Sequence, residues 1–507
     1  MTDPDPRYED LLSLVRRQAE RYGDKTFMTF GDGETMSYRQ FDERIGAVRT
    51  HLAANDITNA PVALMMKNAL FYPVAWLGIV TSGGIAVPIN SRLRLDDTRY
   101  LLEHSGAVAA FADPATHEIV QAAGAGVLKT ILSAPDEVSA PGPEPNLHAG
   151  SLANIQYTSG TTGLPKGCLL THRYWQCMGS TSSELMELTE TDTLLTSQPF
   201  SYVDPQWITI ATLRAGAHLV LLDGFHPTTF MADVARFDVT VFYCLGVMPT
   251  LLMKQPSQAS DRDHSLTRVF CSAIPIEMHS AIEARWGVPW SEAFGMTETG
   301  MNTFVMAHEH DRCVGSGSIG RAVPHNEGAI FDENDNELPP GEVGEFVLRG
   351  NGLMEGYHRD HEATAAFFRN GWAHTGDLAT RDEDGFIYLR GRRKEMIRRG
   401  GENIAPVEVE TALATHDDVV ECAVAAVPDD DMGEEIKAYV VRRQGSSTEP
   451  KELADHLTER LAPFKVPRYW EFRNELPHMP SERVAKHELE RDRTDFKENT
   501  TDLISRG

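Results

Sequence analysis

A glycine- and hydroxyl-rich segment at residues 157–167, YTSGTTGLPKG, limits what this chain can fold into more than any other stretch. A loop so rich in glycine can bring successive backbone N–H groups to one point, and its serine and threonine hydroxyls add further donors. Lys166 supplies a full positive charge. The segment lacks the Walker pattern G-x-x-x-x-G-K-[ST], so it predicts another kind of polyphosphate-binding loop, with a flexible surface loop as the alternative. The candidate phosphate contacts are Thr158, Ser159, Gly160, Thr161, Thr162, Gly163 and Lys166.

The net charge of the chain narrows the class of partner. A net charge of −27 repels nucleic acid and anionic lipid, so we expect neither as the main partner. An anionic ligand such as a nucleoside triphosphate therefore needs a locally positive pocket. A purely solubilising role is the simplest alternative reading of this charge.

Cysteine usage and hydropathy argue against an exported or membrane-spanning protein. The 6 cysteines are scattered and form no C-x-x-C pair, which is typical of a reducing cytosol and unlike a zinc site or disulfide framework. The N-terminus is acidic and has no apolar signal region. Residues 71–89 are largely apolar but include prolines and glycines, which favours a buried helix followed by a buried strand. We therefore expect a cytoplasmic protein.

Alternation of helix-like and strand-like stretches predicts the fold class. Apolar runs at 62–66, 219–222 and 239–243 indicate buried strands, and stretches with helical spacing such as 38–53 separate such runs. This alternation predicts an α/β fold with a mainly parallel sheet. After Gly315 shorter strand-like pieces with turn signals follow. We expect residues 1–391 to form a large domain of mixed sheets with helices and a small barrel-like part, and 392–507 a small, mobile α/β domain.

Further motifs give the chain a specific resemblance. After the segment at 157–167 come 292–299 (EAFGMTET), 374–378 (HTGDL), 391–394 (GRRK) and 400–404 (GGENI). In this order they resemble the motifs of the acyl-adenylate-forming, or AMP-binding, superfamily, which includes acyl-CoA synthetases, peptide-synthetase adenylation domains and luciferases. The resemblance covers essentially the whole chain and implies an ATP-dependent ligase.

The resemblance also implies roles for individual residues. Glu298 would hold Mg²⁺ against the ATP phosphates together with Thr158, and Thr297 would donate to the α-phosphate. On the residues alone, Glu298 fits an acid at a helix start equally well. Asp377 would accept hydrogen bonds from the ribose diol, although a turn aspartate before a strand is the alternative on spacing alone, and Arg392 would bind the same nucleotide. Phe294 would stack on the adenine, with Ser272 and Ala273 in the opposite wall, and Gly295 is a further implied nucleotide contact.

The implied reaction follows from charge. The substrate carboxylate attacks the α-phosphate, pyrophosphate leaves, and Mg²⁺, Lys166 and the loop donors stabilise the developing negative charge. The acyl group of a small carboxylic acid then passes to a second nucleophile. CoA is the expected acceptor, and an amine is the closest alternative. A non-catalytic acyl- or nucleotide-binding relative is a further alternative, and a homodimer is left open.

The sequence departs from the family pattern near its C-terminus. There the family places a lysine, in a Pro-x-Gly-Lys setting, to bridge the acid and the α-phosphate, but here Glu482 and Arg483 occupy the last two positions. Arginine keeps the charge but is longer and planar. Arg483 therefore acts with altered geometry, or Lys486 on the same helical face replaces it, or adenylation is weakened. Lys394 matches the position where relatives pivot the small domain between half-reactions.

The family layout alone implies the acyl pocket. Its expected lining allows an aryl or medium-sized acyl group, although ordinary core packing accounts for some members equally well. The segments at 243–256 and 398–403 most resemble the acyl-CoA ligase branch, including ligases for carnitine and crotonobetaine. The expected pocket residues are Tyr202, Trp207, Tyr243, Gly246, Val247 and Cys271.

Overall fold

The computed structural model of the chain describes residues 9–135, 144–158, 165–246, 248–324, 326–393, 395–400, 402–429, 432–478, 484–490 and 499–503. Helices and strands alternate along the N-terminal part, as predicted. The α-helices in these ranges are Leu11–Tyr22, Tyr38–Ala54, Phe71–Thr81, Leu95–Ser105, His117–Ala123, His172–Leu185, Val203–Ala215, Phe230–Arg236, Met248–Met253, His279–Trp286, His310–Cys313, His361–Phe367, Pro406–Ala414, Pro450–Thr458 and Lys486–Glu490.

Two helix-flanked sheets make up most of the N-terminal part. Across the first, the strand order is Thr130–Leu132, Ala109–Ala112, Pro61–Met65, Ile85–Pro88, Leu152–Thr158 and Lys166–Thr171, and only the last pair is antiparallel. Across the second, it is Arg321–Ala322, Gly300–Phe304, Trp290–Met296, Arg268–Ser272, Val241–Leu245, Thr193–Thr196, His218–Leu221, Thr26–Phe30 and Thr35–Ser37. The centre of this second sheet is parallel and its two ends are antiparallel.

The apolar stretch at 71–89 forms the buried helix Phe71–Thr81 and the strand Ile85–Pro88, which confirms the prediction. This helix packs against Tyr38–Ala54, whose start is fixed by a capping box. The two helices approach closely because Gly78 lacks a side chain; a Cβ there would lie 2.4 Å from Val48 Cγ1. Within the described ranges, every helix is too short or too polar to cross a bilayer.

A buried polar network joins the first sheet to its helices. Asn154 Oδ1 accepts hydrogen bonds from Trp76 Nε1 at 3.0 Å and Trp175 Nε1 at 3.2 Å. Asn154 Nδ2 donates to Gln206 Oε1 at 2.9 Å. The four side chains of this network are buried. Their hydrogen bonds therefore hold helix Val203–Ala215 in place against strand Leu152–Thr158. That helix carries part of the predicted acyl pocket, and that strand leads into the predicted phosphate loop.

Two further sheets follow along the chain. The predicted barrel-like part is an antiparallel sheet of strands Asn326–Phe331, Gly344–Gly350, Trp372–Arg381 and Phe368–Arg369, with Ile387–Arg392 paired to Trp372–Arg381. The C-terminal sheet has the order Glu402–Ile404, Ile397–Arg399, Gly433–Arg442, Tyr469–Arg473 and Thr501–Asp502, with Val419–Asp429 paired to Gly433–Arg442. The predicted fold class is confirmed. The domain boundary after residue 391 and the mobility of the small domain stay predictions.

Candidate active site

The strands that flank the predicted phosphate loop bring its two ends together. Leu152–Thr158 and Lys166–Thr171 form an antiparallel hairpin in which Thr158 pairs with Lys166. The Thr158 hydroxyl and the Lys166 ammonium group are therefore neighbours, one at the start and one at the end of the loop. The predicted contacts Ser159, Gly160, Thr161, Thr162 and Gly163 lie outside the described residues.

A short segment, residues 355–358, runs along the outer edge of strand Lys166–Thr171. Backbone hydrogen bonds of 2.7–2.9 Å join it to residues 167–169, so it extends the sheet beyond its last strand. It carries Tyr357 to the loop, where the Lys166 ammonium lies 5.1 Å from the centroid of the tyrosine ring. The same ammonium lies 3.9 Å from the Asp360 carboxylate.

Helix Leu95–Ser105 holds both ends of the loop through a cluster that we call the stem clamp (Tyr100, His104, Tyr157 and His358). His104 Nδ1 bonds the Tyr157 hydroxyl at 2.8 Å, just before the loop. Tyr100 Oη donates to the carbonyl oxygen of Pro165 at 3.1 Å, just after it. The rings of Tyr100 and His104 stack with centroids 5.3 Å apart. Burial lowers the pKa of both histidines, which favours their neutral form in the folded protein.

Glu298 lies in the turn between strands Trp290–Met296 and Gly300–Phe304, together with Thr297. Tyr357 Oη donates to Glu298 Oε1 at 3.0 Å, so the segment beside the loop also holds this carboxylate. Burial and the Glu298 charge raise the pKa of Tyr357. A Cβ on Gly295 would lie 2.5 Å from the carbonyl oxygen of Gly300, which explains why glycine occupies this position in the motif.

The residues around Glu298 fit a magnesium–phosphate complex. Thr158 pairs with Lys166 in the hairpin, and Tyr357 contacts both the Lys166 ammonium and the Glu298 carboxylate, so these three groups lie close together. Carboxylate and hydroxyl oxygens suit Mg²⁺. No group of three or more His, Cys, Asp or Glu side chains in the described part of the chain could hold a metal. A magnesium ion at Glu298 would complete its ligand set with phosphate oxygens and water.

Ser272, predicted at the adenine, contacts Tyr243, predicted in the acyl pocket. Ser272 ends strand Arg268–Ser272, and its hydroxyl donates to the carbonyl oxygen of Ala293, the residue before Phe294. The Tyr243 and Ser272 hydroxyls are 2.7 Å apart. The predicted adenine wall and the predicted acyl pocket are thus connected through these two side chains.

The turn after Ser272 depends on Glu292, whose side chain had no predicted role. Its buried carboxylate accepts hydrogen bonds from the backbone N–H groups of Ala273 at 3.1 Å and Ile274 at 2.5 Å. Ala273 has a left-handed backbone, with φ of 72°, which a residue with a Cβ adopts only under constraint. Burial raises the pKa of Glu292 to about 8, although the two N–H bonds oppose this shift. Glu292 therefore holds the predicted adenine wall in a strained conformation.

Asp377 and Arg392 meet across the paired strands Trp372–Arg381 and Ile387–Arg392. Arg392 Nε lies 2.8 Å from Asp377 Oδ1. The preceding Gly376 has φ of 74°, and its N–H donates to the Glu345 carboxylate at 3.0 Å. The structure therefore brings Asp377, the predicted ribose contact, together with Arg392, another predicted nucleotide contact. It adds Glu345, which sequence reasoning missed, as the residue that anchors the backbone beside Asp377.

Lys486 makes ion pairs within the C-terminal part. Its ammonium lies 2.7 Å from the Glu410 carboxylate and 3.3 Å from that of Glu395. Burial lowers the pKa of Lys486, but the two carboxylates outweigh it and the pKa is raised. Arg483 and Lys394 lie outside the described residues, so their roles and that of Lys486 stay predictions.

One lysine of the N-terminal part contacts the C-terminal part directly. Lys254 Nζ donates to the backbone carbonyl oxygens of residues 419 and 420 at 3.1 and 2.6 Å. Burial lowers the pKa of Lys254.

Several predicted pocket residues come together at the start of helix Val203–Ala215. Tyr202 Oη accepts a hydrogen bond from Asn90 Nδ2 at 3.1 Å. Trp207 Nε1 donates to Asp204 Oδ1 at 3.2 Å, and the rings of Trp207 and Tyr243 are 5.2 Å apart between centroids. Asp204 was not predicted as a pocket residue. The feature of the sequence that could have indicated it is its position among the aromatic residues of the segment 202–207.

Cys271 does not join this group. Side chains alternate between the faces of strand Arg268–Ser272, so Cys271 points away from Ser272. It packs in the core on the other face with Cys244, its register partner. Gly246 has φ of 60° and open space around its Cα. Val247 lies outside the described residues.

Comparison with known proteins agrees with this arrangement. The chain matches the AMP-binding enzyme family over residues 15–358 and the AMP-binding enzyme C-terminal domain over 408–483. It is 33% identical to a sulfoacetate–CoA ligase of Cupriavidus necator, over 96% of this chain and 98% of the relative. It is 32% identical to a crotonobetaine/carnitine–CoA ligase of Citrobacter koseri, over 95% of this chain and 99% of the relative.

A solved structure extends the comparison to the fold. ATP-bound MatB from Rhodopseudomonas palustris superposes with a TM-score of 0.87 at 28% identity, over 96% of this chain and 100% of that one. The apo structure of MatB, with the same coverage, gives 0.74. As a whole, the structure is therefore more similar to that of the ATP-bound protein than to that of the apo protein.

The fold, the hairpin at the phosphate loop and the carboxylates Glu298 and Asp377 define an adenylate-forming ligase. The chain belongs to the AMP-binding enzyme family. The predicted superfamily, the acyl-CoA ligase branch and the enzymatic nature of the protein are confirmed.

Proposed function

We propose that the chain is an acid–CoA ligase that activates a small carboxylic acid as its acyl-adenylate and passes the acyl group to CoA. One observation carries the proposal: Thr158 pairs with Lys166 in the hairpin that flanks the phosphate loop, and Tyr357 links this lysine to Glu298. The names of the two relatives, both CoA ligases matched over nearly their full length, support CoA as the acceptor.

In the first half-reaction, a carboxylate oxygen of the acid bonds to the α-phosphorus of ATP. The bond from this phosphorus to the oxygen that bridges to the β-phosphate breaks, and pyrophosphate leaves with the electron pair. Lys166 and Thr158 would neutralise and bond phosphate oxygens, while Asp377 and Arg392 would hold the ribose. Mg²⁺, held by Glu298 and Thr158, would supply further charge neutralisation on the phosphates.

In the second half-reaction, the thiol sulfur of CoA attacks the acyl carbon, its proton passes to solvent, and AMP leaves with the electron pair. We propose that the C-terminal part turns about Lys394 between the two steps. The higher TM-score of the whole chain against ATP-bound MatB than against apo MatB supports adenylation as the step served by the present orientation. A cytoplasmic location, where ATP and CoA are available and where the free cysteines stay reduced, belongs to the same proposal.

We further propose that Arg483, not Lys486, provides the positive charge of the C-terminal part at the reacting phosphate. Two carboxylates already engage Lys486, and its release would leave them unpaired. Arg483→Lys should keep adenylation within about threefold of wild type, whereas Arg483→Ala should lower it by about 100-fold or more. A comparable loss in Lys486→Met, in a protein with unchanged melting temperature, would reverse the assignment.

ATP–pyrophosphate exchange over a panel of small acids tests the ligase function. Exchange should require an acid and should fall by about 100-fold or more in Lys166→Met. Lys451→Met is a matched control, because that lysine lies on the C-terminal surface with 77% of its side chain exposed. Mass analysis with CoA and with amines then identifies the acceptor. An amide product in place of a thioester would overturn the CoA assignment, and exchange unaffected by Lys166→Met would overturn the site.

A further inference from the structure

Asp377, the predicted ribose contact, lies in a bulge of its strand. Between two register pairs of the ladder, the partner strand Gly344–Gly350 contributes one residue, Phe346, whereas the strand of Asp377 contributes three, residues 375–377. A bulge redirects a side chain and interrupts the ladder of backbone hydrogen bonds. The backbone around Asp377 therefore has to be held by contacts other than the regular ladder.

Two hydrogen bonds hold this bulge at Gly376. The N–H of Gly376 donates to Oε1 of Glu345 at 3.0 Å. Its carbonyl oxygen accepts a hydrogen bond from the N–H of Arg393 at 2.9 Å. These bonds fix the peptide groups on both sides of the Gly376 Cα, and the second of these groups leads directly into Asp377. The direction in which the Asp377 side chain leaves the backbone thus depends on Glu345 and Arg393.

Arg393 connects the same bulge to the predicted hinge. It is the residue before Lys394, the predicted pivot. In addition to its backbone bond, its guanidinium group lies 3.5 Å from the Glu345 carboxylate. The Arg393 side chain is 48% exposed, so this ion pair contributes little to the stability of the fold. The contact does, however, tie the residue before the pivot to the carboxylate that holds the ribose bulge.

A structural role accounts for part of the contacts of Glu345. Its buried Oε2 lies 3.0 Å from His374 Nδ1 and accepts a hydrogen bond from Arg369 at 3.1 Å. These two groups compensate for the burial of the carboxylate and join neighbouring strands. The bond from Gly376 to Oε1 and the approach of Arg393 are additional, and both lie at the ribose bulge.

We propose that Glu345 is a positioning residue that holds Asp377 ready for the ribose hydroxyls and couples ribose binding to the hinge through Arg393. Because the bulge is fixed before the nucleotide arrives, binding costs less conformational entropy. The coupling is reciprocal, so an ordered hinge favours ribose binding as much as ribose binding favours an ordered hinge. The inference rests on the proposed ligase function, because it concerns how the nucleotide of that reaction is held.

Calorimetric binding of MgATP and of 2′,3′-dideoxy-ATP with Mg²⁺ to the full-length protein tests the positioning role. The wild type should bind ATP at least about tenfold more tightly, because the analogue lacks the ribose hydroxyls. Glu345→Gln removes the charge at similar side-chain size. It should raise the Kd for ATP about tenfold and that for the analogue by less than about threefold. Equal losses for both nucleotides would show a purely structural role and overturn the proposal, as would equal affinities in the wild type.

Glu327→Gln is the matched control. Glu327 lies on the strand that pairs with the strand of Glu345, and it also makes an ion pair with an arginine, Arg349, but 64% of its side chain is exposed. This variant should leave both affinities unchanged. A loss for ATP alone in Glu327→Gln equal to that in Glu345→Gln would show that any acid of this sheet has the same effect, and it would overturn the assignment to Glu345.

Variants of Arg393 test the coupling to the hinge, and they remain informative if Glu345→Gln does not fold. Arg393→Met should raise the Kd for ATP about 2- to 5-fold, whereas Arg393→Lys should restore wild-type affinity. The double variant should bind ATP as Glu345→Gln does, because both substitutions interrupt the same link. Additive losses, or no change in Arg393→Met, would overturn the coupling.

The same measurements separate this inference from the ligase function. If the wild type binds MgATP but shows no pyrophosphate exchange with any acid, the ligase function fails, and the affinities of the variants still decide the role of Glu345. If the wild type does not bind MgATP, both are overturned.

Discussion

Tyr357→Phe removes one hydroxyl and should slow adenylation strongly. The lost contact is the 3.0 Å hydrogen bond to Glu298, whose carboxylate would hold Mg²⁺ against the phosphates. A hydrogen bond to a charged group contributes about 1.5–3 kcal/mol, which corresponds to a roughly 10- to 150-fold lower kcat/KM if the carboxylate is held correctly only through this bond. Phenylalanine keeps the ring beside Lys166, so that contact, at 5.1 Å from the centroid, remains.

Pyrophosphate exchange at several Mg²⁺ concentrations measures this effect. We expect the variant to need more Mg²⁺, because Tyr357 acts as a positioning residue for the carboxylate that would bind the ion. Tyr38→Phe is the control, since it loses a buried hydroxyl bond of 2.6 Å to the Ala217 carbonyl oxygen without approaching the site. The control should be less stable but equally active per folded molecule. If Tyr357→Phe retains wild-type kcat/KM and Mg²⁺ dependence, the hydrogen bond from Tyr357 does not position the Glu298 carboxylate for catalysis, and the role proposed for Tyr357 is refuted.

Three further predictions concern the stem clamp, the contact between the two parts and a motif glycine. His104→Asn should raise the KM for ATP about 3- to 10-fold and leave the KM for the acid unchanged. Because burial lowers the pKa of His104, the contribution of this side chain to ATP binding is fully present above about pH 6.5 and is lost as the pH falls through the lowered pKa. The wild-type KM for ATP should therefore rise in acid, whereas the KM of the variant should depend less on pH. Lys254→Met should slow pyrophosphate exchange about 2- to 10-fold while thioester formation from supplied acyl-adenylate is unchanged or faster, and equal slowing of both steps would refute an orientation-specific role. Gly295→Ala should abolish activity or folding because the new Cβ would meet a backbone oxygen at 2.5 Å, whereas Gly46→Ala, in open space on a helix, should be neutral or slightly stabilising in thermal melting.

The parts of the site that could be predicted from the sequence lie within short contiguous motifs. The string around Lys166 carries its chemistry in adjacent residues. Glu298 and Asp377 were assigned through motif resemblance, and the structure places Glu298 in a turn between two paired strands and Asp377 within strand Trp372–Arg381. In each case local sequence determines local geometry, so little knowledge of the tertiary fold is needed.

The residues that escaped prediction act across long distances in sequence. Tyr357 reaches Glu298 from 59 positions away, and His104 reaches Tyr157 from 53. No local pattern distinguishes a tyrosine or histidine that will meet the loop from one that will not. Cys271 illustrates the opposite error, because its neighbours are in the pocket but a strand turns every second side chain to the other face. The face of the strand on which each side chain lies has to be known before the residues that line a pocket can be assigned.

The segment at 355–358 has a consequence for the behaviour of the protein outside catalysis. Strand Lys166–Thr171 ends its sheet, and an uncovered terminal strand offers its free amide and carbonyl groups to any other chain. Residues 355–358 occupy those groups while delivering Tyr357 to Glu298. Substitutions that disrupt this segment should therefore lower the solubility of the protein as well as its activity. Variants isolated for poor solubility are expected to include substitutions in this segment that also abolish catalysis.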